Sequence, residues 1–197
     1  MRTKRKNKKK INSILIAAMI CSLQVFAQES DSIYYSFQRT DTSYTFYGRF
    51  NVDAEVACVL HIFFNYEHIK ELAANDCDVE LIEEGENWNR FKYTYRVFPL
   101  YKNESLWYRT IDNKNQRVDF KLVLSKNNRT YIPQMISSSG YYQVSQNNGE
   151  LTMEYFRYCR LTKSFLTPLY LYFIKNKAIA FLPVFEDYIE KQCNRID

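Results

Sequence analysis

Apolar and polar residues alternate from Ser43 to Val52, and this period of two predicts a β-strand with one buried face. The apolar residues of that face are Tyr44, Phe46, Phe50 and Val52. Gly48 interrupts the face, where a bulge or a close approach of another part of the chain is expected. The domain is therefore predicted to open with a strand.

A helical pattern follows this strand, because apolar residues recur at spacings of three and four over 56–64. Asp53 is the predicted N-cap, since its side chain can accept a hydrogen bond from the first turn. Asn65 is a poor interior helix residue and a good cap, so it predicts a break. A second short helix, with Ile69 and Leu72 facing inward, is predicted after the break.

From Val79 onward the period returns to two, and turn residues separate the alternating runs. After the run that starts at Val79, the predicted strands lie at 90–97, 104–111, 118–125, 138–144 and 151–161. The strictest alternation is in the run at 118–125, which predicts a buried face made of Val118, Phe120, Leu122 and Leu124.

The chain closes with a predicted long helix that begins near Pro168, a residue suited to a first turn. Pro183 lies inside the helix and predicts a kink. Charged residues interrupt the apolar run, so the helix is predicted to cover a sheet rather than to span a membrane. Its apolar stripe consists of Ile174, Ala178, Phe181, Leu182, Phe185 and Ile189.

Together these elements predict an α+β fold. A curved antiparallel sheet of about six to seven strands is expected to wrap around the long C-terminal helix, because both layers have an apolar face to bury. A broken helix pair is expected after the first strand of this arrangement.

The N-terminal residues have the order of a secretory signal peptide, with a basic run, an apolar run and small residues before a cleavage site. We predict a signal peptide at 1–27, a polar lead-in at 28–42 and one domain at 43–193. An uncleaved anchor is disfavoured because the apolar run is shorter than the ~20 residues that a span needs. The mature protein is expected to be exported, either periplasmic or secreted, without a stable membrane span.

The net charge of the chain changes from +5 when the residues of the predicted leader are left out. Of the 27 Lys and Arg residues, seven lie in the leader, which leaves 20 basic against 22 acidic residues and a net charge of −2. No nucleic acid or anionic membrane surface is therefore predicted as a partner. The oligomeric state is left open.

Four cysteines remain after the leader, namely Cys58, Cys77, Cys159 and Cys193. An exported chain can oxidise them, and three pairings are open. Cys58, His61 and His68 have the spacing of one helix face, but no second ligand pair accompanies them. No metal site and no cofactor are predicted.

The sequence predicts no catalytic residue. His61 and His68 are the only histidines, and neither a nucleophile elbow nor a phosphate-binding loop is present. Arg109 and Arg157 lie in strands that are otherwise aromatic. A solvated strand face is the favoured interpretation of both; an inward arginine would need a partner such as Glu154 or a ligand headgroup.

The stretch "GRFNVDAEVACVLHIFFNYEHIKEL" resembles the start of START-like (SRPBCC, helix-grip) domains. The closing "AIAFLPVFEDYIEK" is similar to the last helix of these domains, and the element order matches over 43–192. The positions that fall on the opening pattern are Val52, Ala54, Val56, Asn65, Tyr66, Ile69 and Leu72.

This resemblance implies an elongated apolar cavity between the sheet and the last helix. Proteins of this family bind sterols, phospholipids, quinones, polyketides or aromatic hormones, and a minority catalyse cyclisation, dehydration or hydrolysis. The expected function is an exported binding protein for an apolar small molecule, a lipid, isoprenoid or aromatic compound. The alternatives are a cyclase or dehydratase that uses the same cavity, and an interaction module whose interior is filled.

The predicted cavity-lining residues come from the inward faces of the strands and the helix. They are Phe91, Tyr93, Tyr95, Tyr108, Arg109, Phe120, Leu122, Met153, Tyr155, Ile174, Ala178, Phe181 and Phe185.

Overall fold

A computed structural model describes residues 33–73, 77–97, 101–147 and 149–194. The predicted leader at 1–27 and the first part of the lead-in lie outside the described residues. Within them, the strands are β1 (Tyr34–Arg39), β2 (Ser43–Val52), β3 (Cys77–Gly85), β4 (Trp88–Val97), β5 (Tyr101–Asp112), β6 (Arg117–Asn127), β7 (Met135–Asn147) and β8 (Glu150–Leu161). The helices are α1 (Val56–Phe64), α2 (Tyr66–Ala73) and α3 (Thr167–Cys193).

All eight strands form one antiparallel sheet in the order β1-β2-β8-β7-β6-β5-β4-β3. Strands that follow one another along the chain are neighbours in the sheet, except β2 and β3; β2 pairs with β8 instead. The sheet and the long C-terminal helix α3 confirm the predicted α+β helix-grip architecture.

Strand β1 lies in the segment that was predicted as a polar lead-in, so that part of the prediction is wrong. It pairs with β2 in the register Phe37↔Phe46, and the Phe37 ring stacks on Tyr44 at a centroid distance of 5.4 Å. Most other β1 side chains are exposed at the sheet edge. An edge strand whose side chains are mostly exposed lacks the alternation that marks the inner strands.

The helix break after α1 is confirmed, and its cause is the side chain of Asn65. Its Oδ1 accepts a hydrogen bond of 2.8 Å from the backbone N–H of Glu67, which satisfies a donor in the first turn of α2. The predicted N-cap of α1 is wrong. The cap is Glu55, without a side-chain hydrogen bond, and the Asp53 N–H instead donates to Glu190 Oε1 at 3.4 Å.

A bulge divides β6 and changes which side chains are buried. The pairing with β5 shifts after Leu122, so that Trp107 pairs with Leu122 and Leu106 with Leu124. Leu124 is consequently 62% exposed, whereas Ser125 is buried. The predicted inward face holds for the first three residues of that run and is wrong for Leu124.

Helix α3 lies along β2 on the concave face of the sheet, and at the backbone level β2 is its main neighbour. Leu182 approaches Gly48 so closely that a Cβ atom there would be 2.7 Å from Leu182 Cδ2. The close approach expected at Gly48 is therefore confirmed. Pro168 lies in the first turn of α3, as predicted. In the part of the chain that the structure describes, no helix has the length and apolar character of a membrane span.

A disulfide bond between Cys58 and Cys193 joins α1 to the end of α3. Cys77 is half-buried and Cys159 is buried, and neither takes part in a disulfide bond. The bond selects one of the pairings that the sequence left open. It also removes the Cys58 thiolate that a zinc site with His61 would use.

Candidate functional site

The interior between the sheet and α3 is filled at the end where α1 contacts both layers. The Phe63 ring lies parallel to Tyr142 at a centroid distance of 4.4 Å, and 5.2 Å from Phe185 of α3. Phe50 and Met153, which face this region from β2 and β8, have no exposed surface. This end of the interior is an ordinary aromatic core.

The remainder of the interior is lined by side chains that pack against the core and still keep accessible surface. These half-buried residues are Tyr93, Leu122, Met135, Tyr155, Ile174, Ala178 and Phe181, and they come from both the sheet and α3. Although Tyr93 is only half-buried, burial raises the pKa of its phenol. The hydroxyl, which accepts a hydrogen bond from Arg109, is therefore desolvated, while another part of the side chain keeps accessible surface.

Helix α3 approaches the far strands of the sheet through long side chains. Lys177 Nζ lies 5.9 Å from the ring centroid of Tyr95 on β4. The backbone of α3, by contrast, packs mainly on β2 at the other side of the sheet. The space between α3 and the middle strands is consequently bridged by side chains rather than closed by backbone packing.

Arg109 enters this interior from β5 and is 9% exposed. Its Nη1 donates to the Phe63 carbonyl at 2.7 Å, and its Nη2 donates to the Tyr93 hydroxyl at 2.8 Å. The neighbouring Asn89 donates to the Phe64 carbonyl at 2.9 Å. Both side chains thus satisfy the C-terminal carbonyls of α1, where a positive charge is favourable. The Nε of Arg109 is buried without a hydrogen-bond partner.

Arg157 enters the same interior from β8 and is held by neutral groups. Its Nε donates to Ser138 Oγ at 3.2 Å, its Nη2 approaches Met135 Sδ at 3.5 Å, and its guanidinium carbon lies 5.2 Å from the Trp107 ring centroid. Arg157 is half-buried and burial acts against its charge, but its coupling to Tyr44 and Tyr155 still raises its pKa, and an arginine does not deprotonate at accessible pH. Arg157 therefore remains a cation.

The favoured sequence interpretation, in which Arg109 and Arg157 lie on a solvated face, is wrong for both. Glu154, considered as a partner for an inward arginine, lies on the opposite face of β8 and hydrogen-bonds Tyr47. Among the described residues, no carboxylate lies within ion-pair distance of either guanidinium. The two charges have aromatic rings and neutral dipoles as their neighbours.

The nearby phenols do not supply the missing negative charge. Burial raises the pKa of Tyr142, of Tyr93 and of Tyr44, and in each case it outweighs the opposing effect of a nearby arginine. All three are neutral at physiological pH, because an ordinary tyrosine already titrates near pH 10. The interior therefore carries a net positive charge among the described groups.

The predicted lining residues fall into three groups in the structure. Those that face the partly open interior are Tyr93, Tyr95, Arg109, Phe120, Leu122, Tyr155, Ile174, Ala178 and Phe181. The second group is buried. Met153 and Phe185 lie in the filled end, and Phe91 lies beneath α2 with Ile69 and Val79.

Tyr108 forms the third group, and its predicted place in the cavity is wrong. It lies on the outer face of the sheet, where its ring stacks on Trp88 at a centroid distance of 5.8 Å. The alternation on β5 that turns Trp107 and Arg109 inward turns Tyr108 outward.

A depression of about 540 Å³ lies on this outer face, on the side of the sheet away from α3. Its charged side chains already have partners, since Arg117 Nη2 is 2.7 Å from Asp119 Oδ1 and the Arg117 guanidinium lies over Tyr141. The lining residues are Tyr108, Thr110, Arg117, Asp119, Phe120, Lys121, Ser139, Gly140, Tyr141 and Phe156.

Sequence reasoning missed Tyr142, Ser138, Trp107 and Met135 as interior residues. On β7 the stretch "SSSGYYQV" places Tyr141 beside Tyr142, so composition gives no indication of which tyrosine faces inward. The available signal was the pairing of β7 with β8, which puts Tyr142 opposite Tyr155 on one face. That signal depends on register and not on local pattern.

The two histidines lie outside the interior, in a chain of polar groups at the surface. The His61 and His68 ring centroids are 5.5 Å apart, and His68 Nδ1 is 2.9 Å from the Tyr188 hydroxyl. Tyr188 in turn donates to Glu71 Oε2 at 2.7 Å. The chain joins α1 and α2 to α3.

No family model matches this chain, and no curated protein matches its sequence. Solved structures do match. A STAR-related lipid transfer protein from Xanthomonas axonopodis has a TM-score of 0.64 at 9% identity, covering 82% of this chain and 96% of that one. The lipid transfer and protein localization domain of human StarD13 has a TM-score of 0.56 at 12% identity, covering 95% and 98%.

A third match is the Zhui aromatase/cyclase from Streptomyces sp. R1128, with a TM-score of 0.53 at 10% identity. It covers 83% of this chain and 94% of the cyclase. At such identities the likeness concerns the fold. The curved sheet, the interrupted helix pair and the long terminal helix give this chain the helix-grip fold that these solved structures share.

Proposed function

We propose that this protein is an exported binding protein that holds an apolar small molecule between the sheet and α3. The observation that carries the proposal is the set of half-buried apolar side chains facing one another across the interior, with Tyr93 and Tyr155 on the sheet and Ile174, Ala178 and Phe181 on α3. A filled core would enclose such side chains completely, as it does Phe63 at the other end. Aromatic and aliphatic walls are typical of small-molecule sites.

Export is supported by the signal-peptide order of the leader and by the disulfide bond between Cys58 and Cys193. Disulfide bonds persist mainly in oxidising compartments such as the periplasm or the extracellular space. The lipid transfer proteins among the matching structures are consistent with an apolar ligand.

A cyclase-type enzyme is the second candidate, because polar groups do converge in the interior. A guanidinium such as that of Arg157 can stabilise a developing enolate or alkoxide, and a cyclase is among the matching folds. The phenols of Tyr93 and Tyr142 are nevertheless poor general bases, since burial raises the pKa of both. Binding without turnover is therefore the function we favour.

Native mass spectrometry of protein purified from an exporting host tests the proposal. The expected spectrum contains a copurifying apolar species, which organic extraction then identifies. Stripped protein should bind members of a panel of fatty acids, quinones and sterol-like probes below the millimolar range. If no species copurifies and no probe binds, the interaction-module alternative replaces this proposal. Conversion of a bound polyketide-like probe would instead support the enzyme.

A further inference from the structure

We infer that the ligand is an anionic amphiphile, a hydrocarbon or aromatic body ending in one carboxylate or phosphate, and that Arg157 binds the anionic group. This inference rests on the proposed function, because it concerns the ligand of the same interior. It follows from the charges of that interior rather than from its shape.

The two interior arginines share one row across the sheet. Arg109 pairs with Phe120, Phe120 pairs with Gly140, and Gly140 pairs with Arg157. All four residues are on the concave side, so the guanidinium groups enter the interior from the two ends of the row. The Arg109 guanidinium lies 5.8 Å from the Tyr142 ring centroid, Tyr142 stacks on Tyr155 at 5.0 Å, and both arginines oppose the rise in the pKa of Tyr142.

An interior with two such charges is costly without an anion. Arginine does not deprotonate at accessible pH, so it cannot escape the cost by becoming neutral. Burying a charge is unfavourable unless an opposite charge or several good acceptors compensate it. No described carboxylate does so, and the surrounding phenols are neutral.

The two arginines differ in how far their contacts with the protein compensate the cost of placing their charge in the interior. Arg109 donates to the C-terminal end of α1 and to Tyr93, and these contacts account for its position as a structural residue. Arg157 contacts no helix end. Its hydrogen-bond partners are the Ser138 hydroxyl and the Met135 thioether, both uncharged, and its guanidinium lies over the Trp107 ring. A guanidinium has five N–H donors, so Arg157 retains donors for an anion.

The apolar part of the ligand has a place beside this charge. Arg157 pairs with Phe46, and the next inward position of β2 is Gly48, over which Leu182 lies. One helical turn before Leu182, α3 presents Ala178, which is half-buried and packs against the core. Arg157 therefore lies near the level of α3 at which a small side chain faces the interior. An anionic group at Arg157 would place its hydrocarbon body beneath that turn.

The test compares three ligands with the same tetradecyl chain, namely tetradecanoate, tetradecyl phosphate and tetradecanol. Each displaces a neutral naphthylamine fluorophore from purified protein at a pH where the carboxylate is ionised. The variants are Arg157→Gln, Arg157→Lys and Arg160→Gln. Arg160 is the matched control, because it lies on the same strand with an exposed side chain.

We expect at least one of the anions to bind roughly ten-fold or more tightly than the alcohol, because a charge-assisted hydrogen bond is then gained. Arg157→Gln should remove this preference, Arg157→Lys should restore part of it, and Arg160→Gln should leave it unchanged. The relative affinities of carboxylate and phosphate identify the headgroup.

Equal binding of the alcohol and both anions to wild-type protein overturns the inference, and this comparison stands even if Arg157→Gln does not fold. An anion preference that survives Arg157→Gln also overturns it. In both cases binding of the alcohol leaves the proposed function intact. Failure of all three ligands and of the fluorophore to bind contradicts the proposed function itself.

Discussion

Cys58, near the start of α1, is bonded to Cys193, the last residue of α3, so one covalent link joins two residues that are 135 positions apart in the sequence. Residues of both helices, Phe63 and Phe185, also pack against each other in the filled end of the interior. The bond therefore fixes the end of α3 that closes the core. It does not directly constrain the earlier turns of α3, around Ala178.

Removing this bond should lower the free energy of unfolding by about 2–5 kcal/mol, because the closed loop is long and the unfolded chain regains its freedom. The variant Cys58→Ala/Cys193→Ala, compared with wild type in urea, measures the loss. Cys77→Ser is the control, since Cys77 is half-buried and takes no part in a disulfide bond. Equal sensitivity of wild type and the double variant to a reductant would contradict the pairing.

Stability should fall as the pH drops below about 6.5, because burial and the nearby His61 lower the pKa of His68, partly opposed by Glu71. Between the lowered pKa and the ordinary histidine pKa of about 6.5, the unfolded chain binds more protons than the folded one. The stability that neutral His68 contributes is thus complete above that window and is lost as the pH falls through it.

Urea unfolding at about pH 8 and about pH 5 measures this effect, with both values chosen to bracket the ordinary histidine pKa. His68→Gln should reduce the pH dependence, since the residue no longer titrates. Tyr188, which contacts His68, and the carboxylate of Glu71 remain in that variant. An unchanged difference between the two pH values in His68→Gln would assign the effect to other groups.

The bulge in β6 predicts opposite effects for the same substitution at two positions. Val118→Asp should cost about 3 kcal/mol or more, because Val118 has no exposed surface and the new charge would be buried. Leu124→Asp should be nearly neutral, since Leu124 is 62% exposed. Thermal unfolding of both variants checks this, and a large loss at Leu124 would mean that the bulge is misplaced.

The sequence predicted those parts of the fold that depend on local pattern. Alternation located β2, the cap at Asn65 located the helix break, and Pro168 located the start of α3. Each of these signals is carried by residues within a few positions of one another.

Features that depend on pairing between distant segments were not predictable in this way. The exposure of Leu124 follows from a register shift against β5, and the burial of Arg109 follows from its contacts with α1. The disulfide partner of Cys58 is set by the path of α3. For Arg157, the aromatic residues on both sides left the phase of the strand undetermined, although that phase decides the chemistry of the interior.

A side chain at position 48 should destabilise the fold, because Leu182 of α3 occupies the space in which a Cβ would lie. Gly48→Ala is expected to lower stability by about 1–3 kcal/mol through overpacking. Arg49→Ala, an exposed neighbour on the same strand, should change stability by no more than about 0.5 kcal/mol. Equal unfolding midpoints for the two variants would show that α3 lies farther from β2.

The last prediction separates a ligand-holding interior from a filled one by enlarging a single side chain on α3. Ala178 is half-buried on the inward side of the helix, and Val184 of the same helix is 54% exposed. In an interior with ligand space, Ala178→Trp fills that space, so affinity for the best apolar probe should fall roughly ten-fold or more while the melting temperature changes little. In a filled core the same change should cost about 1–3 kcal/mol, because the larger ring forces its neighbours apart. Val184→Trp, which points to solvent, should affect neither quantity. Fluorescence titration measures the affinity of the three proteins for the probe, and thermal unfolding measures their melting temperatures. If Ala178→Trp is destabilised but binds the probe no less tightly than wild type, the ligand does not lie beneath α3.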